Sequence, residues 1–229
     1  MPERSEQLWL HEEVMLLCLR DTEGTIEFGA WWQQAAGAAI LAELLLAGSV
    51  VIADDKKRLV SLVNDQRFFD PVLDECLRKV AEAGRRASAR TWVSRFASLK
   101  KLRDRVALGL CDRGILRADE KSILLIFSQR IYPELNPIPE QDLVERLREA
   151  IFTDIEPIVA RTAVLVSLAD ACGVLRLTFD KKQLKSRAPR IERLSNGDLI
   201  GAAAKDAVQA VQMAIMVAVM VPVMVSTAH

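Results

Sequence analysis

The chain has 229 residues, 51% of them hydrophobic and 27% charged, which is enough to bury a sizeable core and argues against global disorder. Its 31 basic and 31 acidic side chains cancel, which argues against a simple polycationic nucleic-acid binder. Two histidines and four widely spaced cysteines offer neither a histidine-rich metal site nor a disulfide framework. We therefore expect a reducing, intracellular compartment, with no cofactor and no metal.

The first fifth of the chain predicts two helices and a short strand. In the first helix, apolar residues recur at helical spacing, which indicates an amphipathic stripe: Leu10, Val14, Leu17 and Cys18. Gly24 marks the turn that follows. The second helix spans residues 31–47, and its run of alanine and glycine would let another backbone approach closely. Residues 50–52 predict a short strand.

The middle of the chain predicts three further helical segments. Pro71 opens a helix, because proline suits the first helical position. Trp92 faces inward on the next segment, and an apolar stripe continues to Leu110, before the turn at Gly114. Residues 163–175 are almost entirely apolar, so this segment is expected to be a central, buried helix.

Near residue 115 the apolar residues no longer recur at helical spacing, and this change predicts a β-hairpin. Strands at residues 115–116 and 123–127 would flank a polar tip at residues 117–122. The expected fold is therefore mainly α, a single compact helical domain over residues 1–229 with an inserted β-hairpin. Residues 213–225 carry no charge, and we interpret them as a buried core helix, with a membrane-inserted tail as the alternative.

Charge is unevenly distributed along the chain. Residues 85–105 carry a net charge of +7 and residues 176–193 carry +5, whereas residues 1–28 and 134–156 each carry −5. Lys100 and Arg103 are three residues apart on a predicted helix, so their side chains would lie on the same face. Two converging cations suit a phosphate or carboxylate. The charge pattern taken alone favours the alternative, that these residues are solvated helix faces.

Two adjacent tryptophans stand at the predicted start of the second helix. Trp31 and Trp32 cannot both face one core from a helix. One of the two rings is therefore a candidate for a membrane interface or a partner surface, the alternative being a ring that only partly covers the surface.

An ordered series of segments resembles the Golgi phosphoprotein 3 family over nearly the whole chain. The similar segments are LWLHEEVMLLCLRDTEG (8–24), AAILAELLLAGSVVI (38–52), DPVLDECLRKV (70–80), LKKLRDRVALGLCDRGIL (99–116), ILLIFSQRIYPEL (123–135) and VLVSLADACGVL (164–175). No single segment is diagnostic, but their order is fairly specific.

The resemblance implies a helical domain with a projecting β-hairpin that binds phosphatidylinositol 4-phosphate at the cytosolic face of the Golgi. It also implies partners, namely an anionic phospholipid surface and the cytosolic tails of membrane proteins. In a protein-interaction adaptor, the hairpin would also mediate self-association with a second copy of the chain. The alanine- and arginine-rich composition would suit a prokaryotic member, in which the attraction would be to anionic membrane generally.

The family's headgroup pocket maps onto this chain only in part. The two family arginines that stand three apart fall on Lys100 and Arg103, which the resemblance makes headgroup ligands. The family's helix arginine falls on Gly37, so that donor is absent. Its tryptophan falls on Phe28, or, with a small gap, on Trp31 or Trp32.

Three other functions remain as alternatives. A helix followed by a hairpin looks locally like a winged helix, so nucleic-acid binding is one, and a protein-interaction adaptor without lipid specificity is another. An enzyme is the weakest, because no catalytic or phosphate-loop motif is present and no catalytic residue is assigned. We interpret the paired carboxylates Glu12 and Glu13 as solvated, and Cys111 lies near a helix C-terminus that disfavours a thiolate.

Overall fold

The computed structural model describes residues 7–20, 23–26, 29–53, 57–123, 127–200 and 208–209, and gives only the backbone for residues 29–31, 121–123 and 127–128. The helices within these residues are α1 (Leu10–Cys18), α2 (Gly29–Leu46), α3 (Pro71–Ala81), α4 (Ala89–Ala97), α5 (Leu102–Asp112), α6 (Ile138–Phe152), α7 (Ala160–Ala171), α8 (Leu175–Thr178), α9 (Lys181–Ser186) and α10 (Ala188–Ser195). The strands are β1 (Val50–Ile52), β2 (Val60–Leu62), β3 (Asp119–Ile123) and β4 (Phe127–Ile131). The expectation of a mainly helical fold with a β-hairpin is confirmed.

Three helices form the centre of the core. Helix α1 packs against α2 and α7, and α2 packs against α7. Every residue of α1 is buried, as are residues 162–169 of α7, so neither helix has a solvent face over these stretches. The amphipathic stripe expected for α1 is therefore wrong, because α1 lies inside the domain instead of on its surface.

The paired carboxylates of α1 are buried, so the interpretation of them as solvated is also wrong. Glu12 and Glu13 are 1% and 2% exposed. Arg113 pairs with Glu12 at 3.0 Å, and Arg146 pairs with Glu13 at 2.6 Å. These guanidinium groups supply the countercharge that a buried carboxylate requires.

Arg161 connects the carboxylates of α1 and α2. Its guanidinium donates to both carboxylate oxygens of Glu43, at 2.7 and 3.0 Å, and to the Leu8 carbonyl at 2.6 Å. Its Nε lies 3.7 Å from Glu13 Oε1. Burial raises the pKa of Glu13, although Arg161 and Arg146 act in the opposite direction.

We call these six side chains the buried ion network. Its members are Glu12, Glu13, Glu43, Arg113, Arg146 and Arg161. They lie on α1, α2, α6 and α7 and at the C-terminal end of α5, so the network ties five helices together.

The small residues of α2 allow α4 to approach it closely, as the sequence predicts. A Cβ atom on Gly37 would stand 2.5 Å from the Val93 carbonyl oxygen and 2.9 Å from the Ala97 nitrogen. Both of these are backbone atoms of α4, so a side chain at this position would force the two helices apart.

Local signals fix the ends of α3 and α4. Pro71 opens α3, and Asp70 caps it by accepting hydrogen bonds from the Val72 and Leu73 amides. Ser88 caps α4 in the same way, accepting from the Thr91 amide at 3.3 Å. The predicted start of α3 at Pro71 is thus confirmed, because capping is a local property of the sequence.

The strands form two separate antiparallel pairs. Val50 is paired with Leu62 across β1 and β2, and the sequence pattern missed β2. Asp119 is paired with Ile131 across β3 and β4. The expected tip at residues 117–122 is wrong, since residues 119–123 form β3, and residues 124–126 between the strands lie outside the described residues. The sequence of β3, DEKSI, does not alternate between apolar and polar residues, so the pattern did not mark it as a strand.

The last predicted elements are shorter than expected or lie outside the description. Helix α7 ends at Ala171 instead of continuing to residue 175, because Gly173 adopts a positive φ of 73° and the chain turns into α8. The apolar segment at residues 213–225 lies outside the described residues. Across the part of the chain that the structure describes, no helix is both long and apolar enough to cross a membrane.

Replacing Gly37 by alanine should destabilise the protein by about 1–3 kcal/mol, because the new methyl group overlaps the α4 backbone. Gly109→Ala on α5 is the matched control, since its Cβ would meet only Glu12 Oε1, at an ordinary 3.6 Å. Better helix propensity should make this variant about 0.5–1 kcal/mol more stable. Urea unfolding measures both changes, and a Gly37→Ala variant as stable as the parent would contradict the close packing of α2 on α4.

Arg161→Leu should lower the free energy of unfolding by about 3–5 kcal/mol, because it leaves Glu43 buried without a countercharge. Arg193→Leu is the control, since Arg193 is 54% exposed where it meets Glu156, and its loss should cost less than about 1 kcal/mol. Equal effects of the two substitutions on the urea midpoint would show that the buried ion network contributes no more than a surface pair.

Candidate functional site

The basic segment of residues 85–105, with a net charge of +7, contains the turn between α4 and α5. Helix α4 ends at Ala97, and Lys100 and Lys101 follow in the turn before α5 begins at Leu102. Both lysines are exposed. The prediction that Lys100 and Arg103 share one helix face is therefore wrong, because Lys100 precedes the helix and only Arg103 lies on it.

Lys101 sets the direction of this turn. Its φ of 55° is left-handed, a conformation that non-glycine residues rarely adopt, and it is the N-cap residue of α5. It supplies no side-chain cap, and the Leu102 amide donates to the Leu99 carbonyl at 3.2 Å, so the amides that follow Leu102 in the first turn of α5 are the ones that can bind an anion. We call Lys100, Lys101 and Arg103 the α4–α5 corner.

Arg103 is held at the base of the hairpin. Its Nη2 donates to Asp104 Oδ1 at 3.3 Å and to the Arg130 carbonyl of β4 at 3.1 Å. Tyr132, which is 1% exposed, donates its hydroxyl proton to Asp104 Oδ1 at 2.9 Å. Burial, together with the hydrogen bond to Asp104, raises the pKa of Tyr132 to about 12, so the hydroxyl stays protonated as a donor.

Several basic residues of the 85–105 segment form an ion pair or a ring contact within the protein. Arg105 pairs with Glu75 at 2.7 Å, and the guanidinium of Arg95 lies 4.6 Å from the centre of the Trp92 ring. By contrast, four exposed cations of this segment have side chains that form no ion pair, hydrogen bond or ring contact with any residue that the structure describes: Arg85, Arg90, Lys100 and Lys101. The positive charge predicted for this segment is therefore only partly compensated within the protein.

More of the basic residues in the second basic segment, residues 176–193, form ion pairs than in residues 85–105. Arg187 pairs with Asp154 at 3.1 Å, and Glu156 receives both Arg190 at 3.6 Å and Arg193 at 3.5 Å. These pairs join the basic segment at residues 176–193 to the acidic segment at residues 134–156. Three exposed lysines of this segment form no ion pair among the described residues: Lys181, Lys182 and Lys185.

Of the remaining expected headgroup residues, only Trp32 has a side chain that the structure describes. Trp32 is 2% exposed within the core, so its ring is not available to a membrane surface, and we withdraw it from the site. Phe28 and the side chain of Trp31 lie outside the described residues. Gly37 faces the α4 backbone at a distance that leaves no room for the arginine of the family pocket.

Sequence reasoning missed three residues of this site. Lys101 stands beside Lys100, but its left-handed backbone was not readable from the pattern. Asp104 is the one acidic residue among the cations of residues 85–105, and Tyr132 is the one tyrosine of the chain. Each is the single residue of its kind in that context, which is only a weak sign of a functional role. Their hydrogen bond joins two segments 28 residues apart, so the sequence pattern could not show it.

The cysteines show no sign of activation. All four are free thiols. Burial, followed by the charge of Asp112, raises the pKa of the Cys111 thiol, which agrees with the expectation that its helix end disfavours a thiolate. Within the described residues, no three side chains of the metal-ligating types His, Cys, Asp and Glu cluster as a metal site requires.

The chain was compared with models of known protein families. The family model described as Golgi phosphoprotein 3 (GPP34) matches residues 10–211, which include every helix and strand named above.

Proposed function

The chain belongs to the Golgi phosphoprotein 3 family, and we propose that it is a peripheral membrane protein whose α4–α5 corner binds anionic phospholipid headgroups. Phosphatidylinositol 4-phosphate is the headgroup that the family resemblance suggests. The family is not one of enzymes, and the proposal involves no catalysis.

One observation carries the proposal, namely the exposure of Lys100 and Lys101 without an acidic partner among the described residues. Arg103 lies beside them at the start of α5. Three cations at an uncapped helix N-terminus attract a phosphate, because the amide groups and the helix dipole add to the side-chain charge.

The expected strength of this attraction is moderate. Each lysine or arginine near an anionic membrane contributes roughly 1 kcal/mol, and the attraction decays over a Debye length of about 8 Å at physiological ionic strength. Three cations therefore support a reversible association that weakens as salt is added. The exposed Arg90 at the start of α4 would add to the field at longer range.

The absence of the helix arginine bears on selectivity. With Gly37 in its place, headgroup recognition falls to Lys100, Lys101 and Arg103. Lysines act as point charges on any anionic surface, whereas a fixed guanidinium makes directional hydrogen bonds to phosphate. We therefore assign general membrane attraction to the lysines and headgroup selectivity to Arg103.

The wider role proposed for the chain is that of a trafficking or sorting adaptor. Under this proposal the single domain of residues 1–229 would sit on the cytosolic face of a membrane, that of the Golgi in a eukaryote. It would bind cytosolic tails of membrane proteins, and the hairpin would mediate self-association. Family membership supports this role.

The double variant Lys100→Ala/Lys101→Gly should weaken vesicle binding roughly 10- to 30-fold, as expected from losing two contributions of about 1 kcal/mol each. Glycine is chosen at position 101 because the backbone there has a positive φ. The measurement is co-sedimentation at low and physiological salt with phosphatidylcholine vesicles, alone or containing phosphatidylserine or phosphatidylinositol 4-phosphate.

The control is Lys181→Ala/Lys182→Ala, which removes the same charge from exposed positions of α9. It should bind within about twofold of the parent if the α4–α5 corner is the docking site. Equal loss in the two double variants would contradict a localised site. Failure of the parent to sediment with any anionic vesicle would remove the membrane function and leave the adaptor without lipid specificity. Binding of duplex DNA but not of vesicles would favour the winged-helix alternative.

A further inference from the structure

Arg103 differs from the two lysines of the α4–α5 corner because other described residues fix its position. Both of its internal hydrogen bonds, to Asp104 Oδ1 and to the Arg130 carbonyl, come from Nη2. The Nε and Nη1 donors form no hydrogen bond with a described residue, and the side chain is 31% exposed. The guanidinium is therefore oriented by one nitrogen and keeps donors for a ligand.

Asp104 is itself held in position by a hydrogen bond from the buried Tyr132. Its Oδ1 accepts the hydroxyl proton of Tyr132 at 2.9 Å. The Tyr132 ring is buried, and its backbone amide donates to the Gly24 carbonyl at 2.9 Å. The guanidinium carbon of Arg103 lies 5.8 Å from the centre of that ring. A chain of contacts thus runs from the buried turn at Gly24 to the exposed guanidinium.

We propose that Asp104 and Tyr132 are positioning residues that hold Arg103 for recognition of a phosphomonoester headgroup. This inference rests on the proposed function and assigns the selectivity of the same site. A guanidinium that is already oriented loses little side-chain freedom when it binds, so its hydrogen bonds contribute more fully to affinity. Without this support Arg103 would act as a mobile charge, much like the lysines beside it.

A simpler electrostatic account gives the opposite sign. The carboxylate of Asp104 is the one negative charge within residues 85–105, so it should repel an anionic headgroup. On that account, Asp104→Asn would raise binding to every anionic vesicle. If Asp104 positions Arg103, the same substitution weakens binding to the phosphomonoester headgroup even though the net charge becomes more positive.

The experiment compares the affinity of each variant for phosphatidylcholine vesicles containing either phosphatidylinositol 4-phosphate or phosphatidylserine at matched surface charge. The variants are Asp104→Asn and Tyr132→Phe, with Asp112→Asn as the control, because Asp112 is an exposed carboxylate at the far end of the same helix. The readout is the ratio of the two affinities, which a uniform change in charge leaves unaltered. Thermal melting confirms that each variant is folded, and Asp104→Glu replaces Asp104→Asn if the latter is not.

Asp104→Asn should lower the affinity ratio about threefold to tenfold, Tyr132→Phe should lower it by a smaller factor, and Asp112→Asn should leave it unchanged. Arg103→Ala should lower the ratio in the parent but have little further effect in the Asp104→Asn background, since interacting residues are not additive.

Two results would overturn the inference in different ways. If Asp104→Asn raises binding to both vesicle types as Asp112→Asn does, Asp104 is only an opposing charge, and the proposed function survives without this inference. If the parent binds neither vesicle type, the proposed function fails and the inference fails with it.

Discussion

The fold depends on a constraint that the buried ion network satisfies. Helix α1 lies inside the domain with two carboxylates, and a buried carboxylate is costly unless a cation pairs with it. The guanidinium groups that pair with Glu12 and Glu13 come from elements more than 100 residues further along the chain. The burial of α1 therefore depends on α6, on α7 and on the C-terminal end of α5, which carry these arginines. Glu43 extends the same constraint to α2 by accepting a hydrogen bond from the Leu10 amide at 2.8 Å.

Ion pairs in this network and elsewhere in the described residues determine where charge remains uncompensated at the surface. The buried carboxylates of α1 are matched by arginines from outside the main basic segment, at positions 113, 146 and 161. The acidic residues near position 155 are matched by arginines of the second basic segment. Among the described residues, the one acidic partner of the α4–α5 corner is Asp104. It pairs with Arg103 and with neither of the two lysines. A chain with no net formal charge thus presents a localised cationic surface.

Features that depend on neighbouring residues, such as helix ends, could be predicted from the sequence. Features that depend on contacts between distant segments could not. Pro71 and Gly114 mark helix ends correctly, because a proline at the first turn and a glycine at positive φ act within a few residues. The burial of Glu12 and Glu13 could not be predicted, since their partners are remote in sequence. The position of Lys100 was misread because the left-handed backbone of Lys101 interrupts a pattern that is helical on both sides. The candidate headgroup residues came from spacing and family resemblance, whereas the indirect contact of Tyr132 with Arg103, through Asp104, became visible only in the fold.

The central claim is that the α4–α5 corner is the surface that meets the membrane. Hydrogen–deuterium exchange of the protein, alone and bound to vesicles containing phosphatidylinositol 4-phosphate, tests it most directly. The account predicts slower exchange of the backbone amides at residues 99–104, at the turn and at the start of α5, while the amides of α9 exchange as before. Binding that protects α9 or another surface and leaves residues 99–104 unchanged would contradict it.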